Sequence, residues 1–168
     1  MADGSQGLSG LIGAFIAAAA RVLAVETGSE VSLGQSVQYQ APLRSPDEVT
    51  VLVGISGLRL KGVVLYAMSE VTALNLASAM IGEVLTEFNA LAESAVSELA
   101  NVFAGNASVE LERKGYPCRL SPPSVISGEG LLITLAEVGL IRSKLSTQHG
   151  ELSIILALRE PANVSQPA

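Results

Sequence analysis

The fold is expected to be organised around the stretch Ser94-Ala95-Val96-Ser97-Glu98-Leu99-Ala100-Asn101-Val102-Phe103-Ala104-Gly105-Asn106-Ala107. This stretch is rich in Ala, Leu and Glu and contains no Pro, and no Gly before Gly105, so it predicts a helix. With about 100° between successive residues, the apolar side chains gather on one side of the helix, which should pack against the core. That apolar side consists of Ala92, Val96, Leu99, Phe103 and Ala107.

The opposite side of the predicted helix carries a narrow stripe of polar and small residues. Ser94, Glu98, Asn101 and Gly105 recur at i, i+4, i+7 and i+11, which places them on one face. The stripe offers a carboxylate and a carboxamide, and its small residues would let the backbone of another protein come close. Spacing alone favours an ordinary solvated helix face, because single Glu and Asn residues are common on protein surfaces.

A family resemblance changes this interpretation. The pattern Ser-x-x-x-Glu-x-x-Asn is followed by Ala-Gly-Asn-Ala and then by Pro122-Pro123-Ser-Val-Ile-Ser-Gly128. This combination resembles the CheC/CheX family of phosphatases, which act on the phosphorylated chemotaxis response regulator CheY. The specific part of the match runs from Ser94 to Gly128, and the remainder agrees by the order of its elements. CheC proteins carry two such helices, whereas only one is evident here, so the resemblance is to the CheX branch in particular.

The resemblance implies a catalytic pair, Glu98 and Asn101, with Ser94 as a landmark of the motif. A phosphorylated receiver domain already holds Mg²⁺, a phosphoaspartate and a lysine, so no cofactor or metal of the chain's own is expected. Asn101 would position the attacking water, because an amide both donates and accepts hydrogen bonds without titrating. Glu98 would pair with the lysine of the receiver.

The resemblance also implies a homodimer formed by sheet pairing. Two candidate edges follow from the sequence, the strand around Ile154-Ile155-Leu156 and an N-terminal strand meander, and the sequence does not choose between them. Two other functions remain open. One is a catalytically weak CheX-like binding module that docks a receiver domain or a flagellar-switch protein. The other is an unrelated α+β ligand-binding domain, in which the Glu-Asn pair would be buried or coincidental.

Composition narrows the class of protein. The 168 residues are 49% apolar and 15% charged, which is typical of one globular domain with a substantial core. The formal net charge of -6, with no basic run, argues against nucleic acid and against an anionic membrane surface as partners. The chain has one cysteine, Cys118, and one histidine, His149, and both are assigned structural roles. One residue of each type is too few for a zinc site. A cysteine without a partner for a disulfide argues for a reducing, cytoplasmic location.

The apolar segment from Leu8 to Ala20 is interpreted as a buried N-terminal helix. It is too short to span a bilayer, and Arg21 interrupts it. Asp3 precedes it, whereas a signal peptide carries positive charge at that position.

Periodicity predicts an α+β fold in which an antiparallel sheet, or sheets, carries long helices packed on one face. Helices are expected over 10–26 and 70–81, with Ser69 and Gly82 as the caps of the second; Asn89 should begin the third, which should fade near Glu112. A single domain should cover residues 8–160, with flexible termini at 1–7 and 161–168. Three strands are expected over 31–39, 49–55 and 60–68 as an antiparallel meander, and the first of them should have one buried face. Four more strands are expected over 116–120, 131–136, 138–146 and 152–159. The last two of these should be joined by a hairpin at 148–150.

Overall fold

Three helices cover one face of an antiparallel sheet in the computed structural model, which describes residues 4–40, 42–45, 47–135 and 139–161. The α+β architecture predicted from the sequence is therefore confirmed. The helices are α1 (Gly4–Thr27), α2 (Glu70–Ile81) and α3 (Ala90–Arg113). The strands are β1 (Ser32–Tyr39), β2 (Leu43–Arg44), β3 (Val49–Ser56), β4 (Lys61–Met68), β5 (Arg119–Leu120), β6 (Ser124–Ser127), β7 (Leu132–Ile133), β8 (Leu140–Thr147) and β9 (Gly150–Arg159).

The main sheet has the strand order β1-β8-β9-β4-β3, and all of these pairs are antiparallel. Two short strands share the outer side of β3. β5 pairs with its last residues, Ile55 and Ser56, and β6 pairs with its first half. The strands β2 and β7 form a separate two-stranded ribbon.

The sheet separates two apolar clusters of unequal size. The larger cluster lies between the helices and one face of β3, β4, β8 and β9, and it contains every buried apolar helix residue. The smaller cluster lies on the other face of the sheet, where the β2-β7 ribbon covers it. Its buried members are Leu43, Leu65, Ala67, Ile133, Leu140, Ile155 and Ala157.

The first helix is amphipathic and packs against α3. Its buried residues recur at helical spacing and include Leu11, Phe15, Ala18 and Val22. The stretch Leu8–Thr27 is long and apolar enough to cross a membrane, so the expectation that this segment is too short to span a bilayer is wrong. The apolar side of α1 is explained by its packing in the core against α3, and the core helices of globular proteins are commonly as apolar as this stretch.

α1 begins at Gly4, so residues 4–7 of the start that is predicted to be flexible are helical. Residues 1–3 and 162–168 of the predicted flexible termini lie outside the described residues.

The predicted helix caps are confirmed. The Ser69 hydroxyl accepts a hydrogen bond from the Thr72 N–H at 3.1 Å, and Gly82 takes the left-handed conformation that ends α2. The Asn89 side-chain oxygen accepts from the N–H groups of Leu91 and Ala92, both at 3.1 Å. Local sequence chemistry therefore fixes where α2 and α3 begin.

The predicted N-terminal meander is wrong in one respect. The β3-β4 hairpin is present, but β1 pairs with β8 at the far edge of the sheet and not with β3. The expected single buried face of β1 is also wrong, because all residues of this edge strand except the half-buried Tyr39 are exposed, and a bulge between Leu33 and Ser36 shifts the register. Leu33 lies opposite Leu145 on the helix side, whereas Tyr39 lies opposite Leu140 on the other side.

Several strand boundaries also differ from the prediction. The short strands β2 and β6 follow Pro42 and Pro123 and lie outside the strand ranges predicted from the sequence. The predicted strand over 116–120 shortens to Arg119–Leu120, so Cys118 precedes it. The predicted hairpin is confirmed, with Thr147 opposite Gly150. The inner ends of the strands predicted over 131–136 and 138–146 fall partly on residues 136–138, which lie outside the described residues.

Candidate active site

The orientation of α3 is set by its buried side, as the sequence predicts. Leu99, Phe103 and Ala107 are almost completely buried in the helix-side core. The Phe103 ring lies 5.1 Å, centroid to centroid, from the ring of Tyr66 on β4, at an angle of 50°. Because this side is fixed against the sheet and against α1 and α2, the opposite side of α3 must face outward.

Glu98 and Asn101 are both exposed on this outward side, one helical turn apart. Their predicted exposure on one long helix is confirmed. Neither side chain has a hydrogen-bond or ion-pair partner within the described part of the chain. Ser94, one turn before Glu98, is exposed as well, and Gly105, one turn after Asn101, is half-buried. The pair therefore presents an unpaired carboxylate and an unpaired carboxamide to another molecule.

Gly105 is not required by the fold of this chain. Within the part of the chain that the structure describes, no atom other than those of the adjoining residues and of the helix backbone lies within 4 Å of the position that a Cβ would take there, and the backbone is helical. A glycine in a helix interior is less favourable than alanine by about 0.8–1.0 kcal/mol. The internal packing of the chain offers no compensation for this cost.

Two apolar side chains bracket the Glu98 and Asn101 pair on the same side of α3. Leu91 is 50% exposed and Val109 is 49% exposed. At 100° per residue, both lie within about 20° of Glu98 around the helix axis. The outward side therefore combines polar groups in its middle with apolar groups towards its ends, an arrangement that the sequence prediction did not include.

The Pro122 to Gly128 segment, which carries part of the family resemblance, has a structural role. The Ser121 N–H donates to the Gly54 carbonyl at 2.9 Å, and the Gly54 N–H donates to the Ser121 hydroxyl at 2.7 Å. The following strand β6 then pairs with the first half of β3, and the Gly128 N–H donates to the Glu48 carbonyl. The segment thus closes the sheet edge beside α3.

Cys118 precedes β5, and His149 lies in the turn between β8 and β9, beside the end of α1 and beside α2. Cys118 is half-buried before β5, and burial, followed by the charge of Glu112, raises the pKa of its thiol. The ring Nε2 of His149 lies 3.4 Å from the Thr27 carbonyl, and its own carbonyl accepts from the Asn75 side chain. Among the residues that the structure describes, no group of three or more His, Cys, Asp or Glu side chains is arranged to hold a metal ion.

Comparisons with known sequences point to one family. The family model described as "Chemotaxis phosphatase CheX" matches residues 49–154, which include Glu98 and Asn101. A curated relative, the CheY-P phosphatase CheX of Thermotoga maritima, is 37% identical over 89 residues, which cover 52% of this chain and 57% of the relative. The chain thus matches somewhat more than half the length of that relative.

Solved structures agree with the sequence comparison. A chemotaxis protein CheX from Desulfovibrio desulfuricans is similar with a TM-score of 0.80 and 25% identity, over 89% of this chain and 99% of that one. A chain in the CheX-CheY-BeF3-Mg²⁺ complex from Borrelia burgdorferi is similar with a TM-score of 0.76 and 28% identity, over 89% of this chain and 97% of that one.

Proposed function

The chain belongs to the CheX family of chemotaxis phosphatases, and from this premise we propose that it hydrolyses the aspartyl phosphate of a CheY-type response regulator. The observation that carries the proposal is the exposed, unpartnered pair of Glu98 and Asn101 on α3. The Borrelia burgdorferi relative was crystallised with CheY, which supports a receiver domain as the partner.

Phosphoryl transfer depends mainly on positioning and on electrostatic stabilisation. In our proposal the receiver supplies the phosphoaspartate, the Mg²⁺ and a lysine, so the chain needs no cofactor of its own. Its contribution is to insert the outward side of α3 into the receiver. The buried side of α3 is fixed by Phe103 and its neighbours, so the two active groups enter the receiver on a rigid element.

The two side chains have different tasks in this proposal. The Asn101 carboxamide accepts a hydrogen bond from the attacking water and orients it in line with the phosphorus atom. The Glu98 carboxylate pairs with the lysine of the receiver and holds α3 in register, an interaction that strengthens as the interface excludes water. No titrating base is needed on the chain itself, because the amide of Asn101 positions the water without changing its protonation state.

We further propose that two copies of the chain pair through the edge strand β1. In the described residues β1 pairs on one side only, with β8, and it exposes Leu33 and Val37 to solvent. The other edge suggested by the sequence is wrong, because β9 lies between β8 and β4. A homodimer should lose affinity in Val37→Lys but not in Val71→Lys on α2, as measured by sedimentation velocity; equal effects would contradict pairing through β1.

Like the chemotaxis receivers on which it acts in this proposal, the protein would work in the cytoplasm. The direct test of the activity uses purified CheY-type receivers from the same genome. Each receiver is phosphorylated with a small-molecule phosphodonor in Mg²⁺, and phosphate release is followed with and without the chain. A Glu98→Ala/Asn101→Ala double variant is the matched control.

We expect wild-type chain, and not the double variant, to accelerate dephosphorylation of at least one receiver. The alternative from the sequence, a catalytically weak binding module, predicts binding to a beryllofluoride-activated receiver without acceleration. That result would replace the phosphatase assignment.

A further inference from the structure

We infer that Leu91, Gly105 and Val109 form the docking footprint of the phosphorylated receiver around the Glu98 and Asn101 pair, with Gly105 as the point of closest approach. This inference rests on the proposed function and adds to it the residues that determine binding. It draws on three observations of the outward side of α3: an unnecessary glycine, two exposed apolar side chains, and their alignment with the polar pair.

The footprint has the dimensions of one domain. Leu91 and Val109 are separated by 18 residues, so with a rise of 1.5 Å per residue they lie about 27 Å apart, close to the diameter of a small domain. Glu98 and Asn101 lie between them. A receiver centred on the polar pair would therefore reach both apolar residues, which would lose exposed apolar surface at its two sides while the active groups occupy the middle.

Gly105 carries the argument for close approach. Apart from the backbone of α3 itself and the two neighbouring residues, a Cβ at this position would meet no atom of the described residues within 4 Å, so the missing side chain leaves open space on the outside of the helix. That space lies one turn beyond Asn101, about 6 Å along the helix axis. An alanine would be more favourable for the helix itself, and a glycine is explained if a partner surface occupies the space.

The receiver fits this face better than a second copy of the chain. α3 contacts β3, β5 and β6, whereas β1 is the strand at the opposite edge of the main sheet. Sheet pairing through β1 would leave the outward side of α3 free. The footprint is also continuous with the Glu98 and Asn101 pair, so one partner can cover both.

A glycine series tests the point of closest approach. Gly105→Ala should raise the melting temperature by about 2–4 °C, because alanine is the better helix former. The same variant should raise the Kd for a beryllofluoride-activated receiver by about fivefold or more, because a methyl group overpacks a close contact. Gly105→Leu should raise it further. The matched control is Gly13→Ala on α1, where a Cβ also meets no atom within 4 Å; it should raise the melting temperature and leave the Kd unchanged.

Two polar substitutions test the apolar anchors. Leu91→Ser and Val109→Ser should each raise the Kd by about fivefold or more, since truncating an interface anchor commonly has an effect of this size. Val25→Ser, at an 80% exposed position on α1, is the matched control and should leave the Kd unchanged.

The outcomes separate this inference from the proposed function. If Gly105→Ala, Leu91→Ser and Val109→Ser bind and dephosphorylate the receiver as the wild type does, the footprint is wrong and the phosphatase function stands. If the wild type neither binds nor dephosphorylates any receiver, both fail. If the variants change self-association in sedimentation but not receiver binding, a second copy covers this face and the footprint is overturned.

Discussion

At the scale of single residues, the task of Asn101 depends on its being exposed and unpartnered. Its removal leaves no cavity and no buried unsatisfied donor, because the side chain is exposed and forms no hydrogen bond with the described residues. Glu98 differs from Asn101 in carrying a charge, so the two residues should fail in different ways when they are replaced. Those differences distinguish water positioning from ion pairing.

Asn101→Ala should keep the fold and lose the activity. We expect a stability change of about 0.5 kcal/mol or less, as is usual for exposed positions. Turnover should fall by about 10²-fold or more, because the attacking water is no longer held in line. Melting curves and single-turnover dephosphorylation measure the two effects, with Asn106→Ala, an exposed asparagine on another side of α3, as the control. Near-normal turnover in folded Asn101→Ala would disprove the water-positioning mechanism.

Glu98→Gln should chiefly weaken receiver binding. The substitution keeps the size of the side chain and removes the charge that would pair with the receiver's lysine. The Kd should rise, and its dependence on salt concentration should become weaker, because an attractive interfacial charge pair is lost. Titrations at several salt concentrations test this against Glu93→Gln, an exposed carboxylate in the first turn of the same helix. An unchanged salt dependence would argue against the ion pair.

At the scale of the elements, the position of the site on α3 is set by the N-cap of the helix and by its buried side. The Asn89 oxygen satisfies two of the N–H groups at the start of the helix, two residues before the anchor Leu91. The Phe103 side then fixes the rotation of the helix about its axis. The register of the site therefore depends on residues that never touch the partner.

Asn89→Ala should destabilise the protein by about 1 kcal/mol through loss of the N-cap. Asn106→Ala, which removes only a hydrogen bond to the Val102 carbonyl within α3, should change stability by about 0.5 kcal/mol or less. Urea denaturation of the two variants gives the comparison. Equal effects would mean that the cap does not determine the start of α3.

At the scale of the whole molecule, the face of the sheet away from the helices holds a half-buried charge. An Asp47 carboxylate oxygen lies 3.7 Å from an Arg142 guanidinium nitrogen, and that guanidinium also donates two hydrogen bonds to the Ser153 hydroxyl. Burial raises the pKa of the Asp47 carboxyl above its ordinary value of 3.8, and the charge of Arg142 opposes the rise. The contact links the start of β3 to β8 and β9.

Asp47→Asn should change how stability depends on pH. Because the folded carboxyl binds its proton more tightly than the unfolded one, Asp47 makes the wild type less stable as pH rises from 3.8 through the raised pKa. The variant lacks this loss, so its stability relative to the wild type should increase as the pH rises above about 4 and should level off above the raised pKa of Asp47. Urea titrations across this range measure the difference, with Glu93→Gln as a control. A parallel pH dependence of wild type and Asp47→Asn would contradict the raised pKa.

Local sequence chemistry by itself determined the helices and the candidate pair. The apolar spacing of Leu99, Phe103 and Ala107 predicts the buried side of α3, and the Glu98 and Asn101 stripe must then face outward. Capping residues predict the starts of α2 and α3, and alternation predicts the long strands β3, β4, β8 and β9. These features depend on residues a few positions apart, so they are present in the sequence pattern itself.

Only the tertiary structure decided which strand is the edge and what surrounds the pair. The pairing of β1 with β8 joins residues more than a hundred positions apart, and the bulge after Leu33 reverses the face of the strand without a signal in the alternation. Likewise, the empty space at Gly105 depends on the absence of every other element from that side of α3. Such facts arise from long-range packing, which local periodicity does not encode.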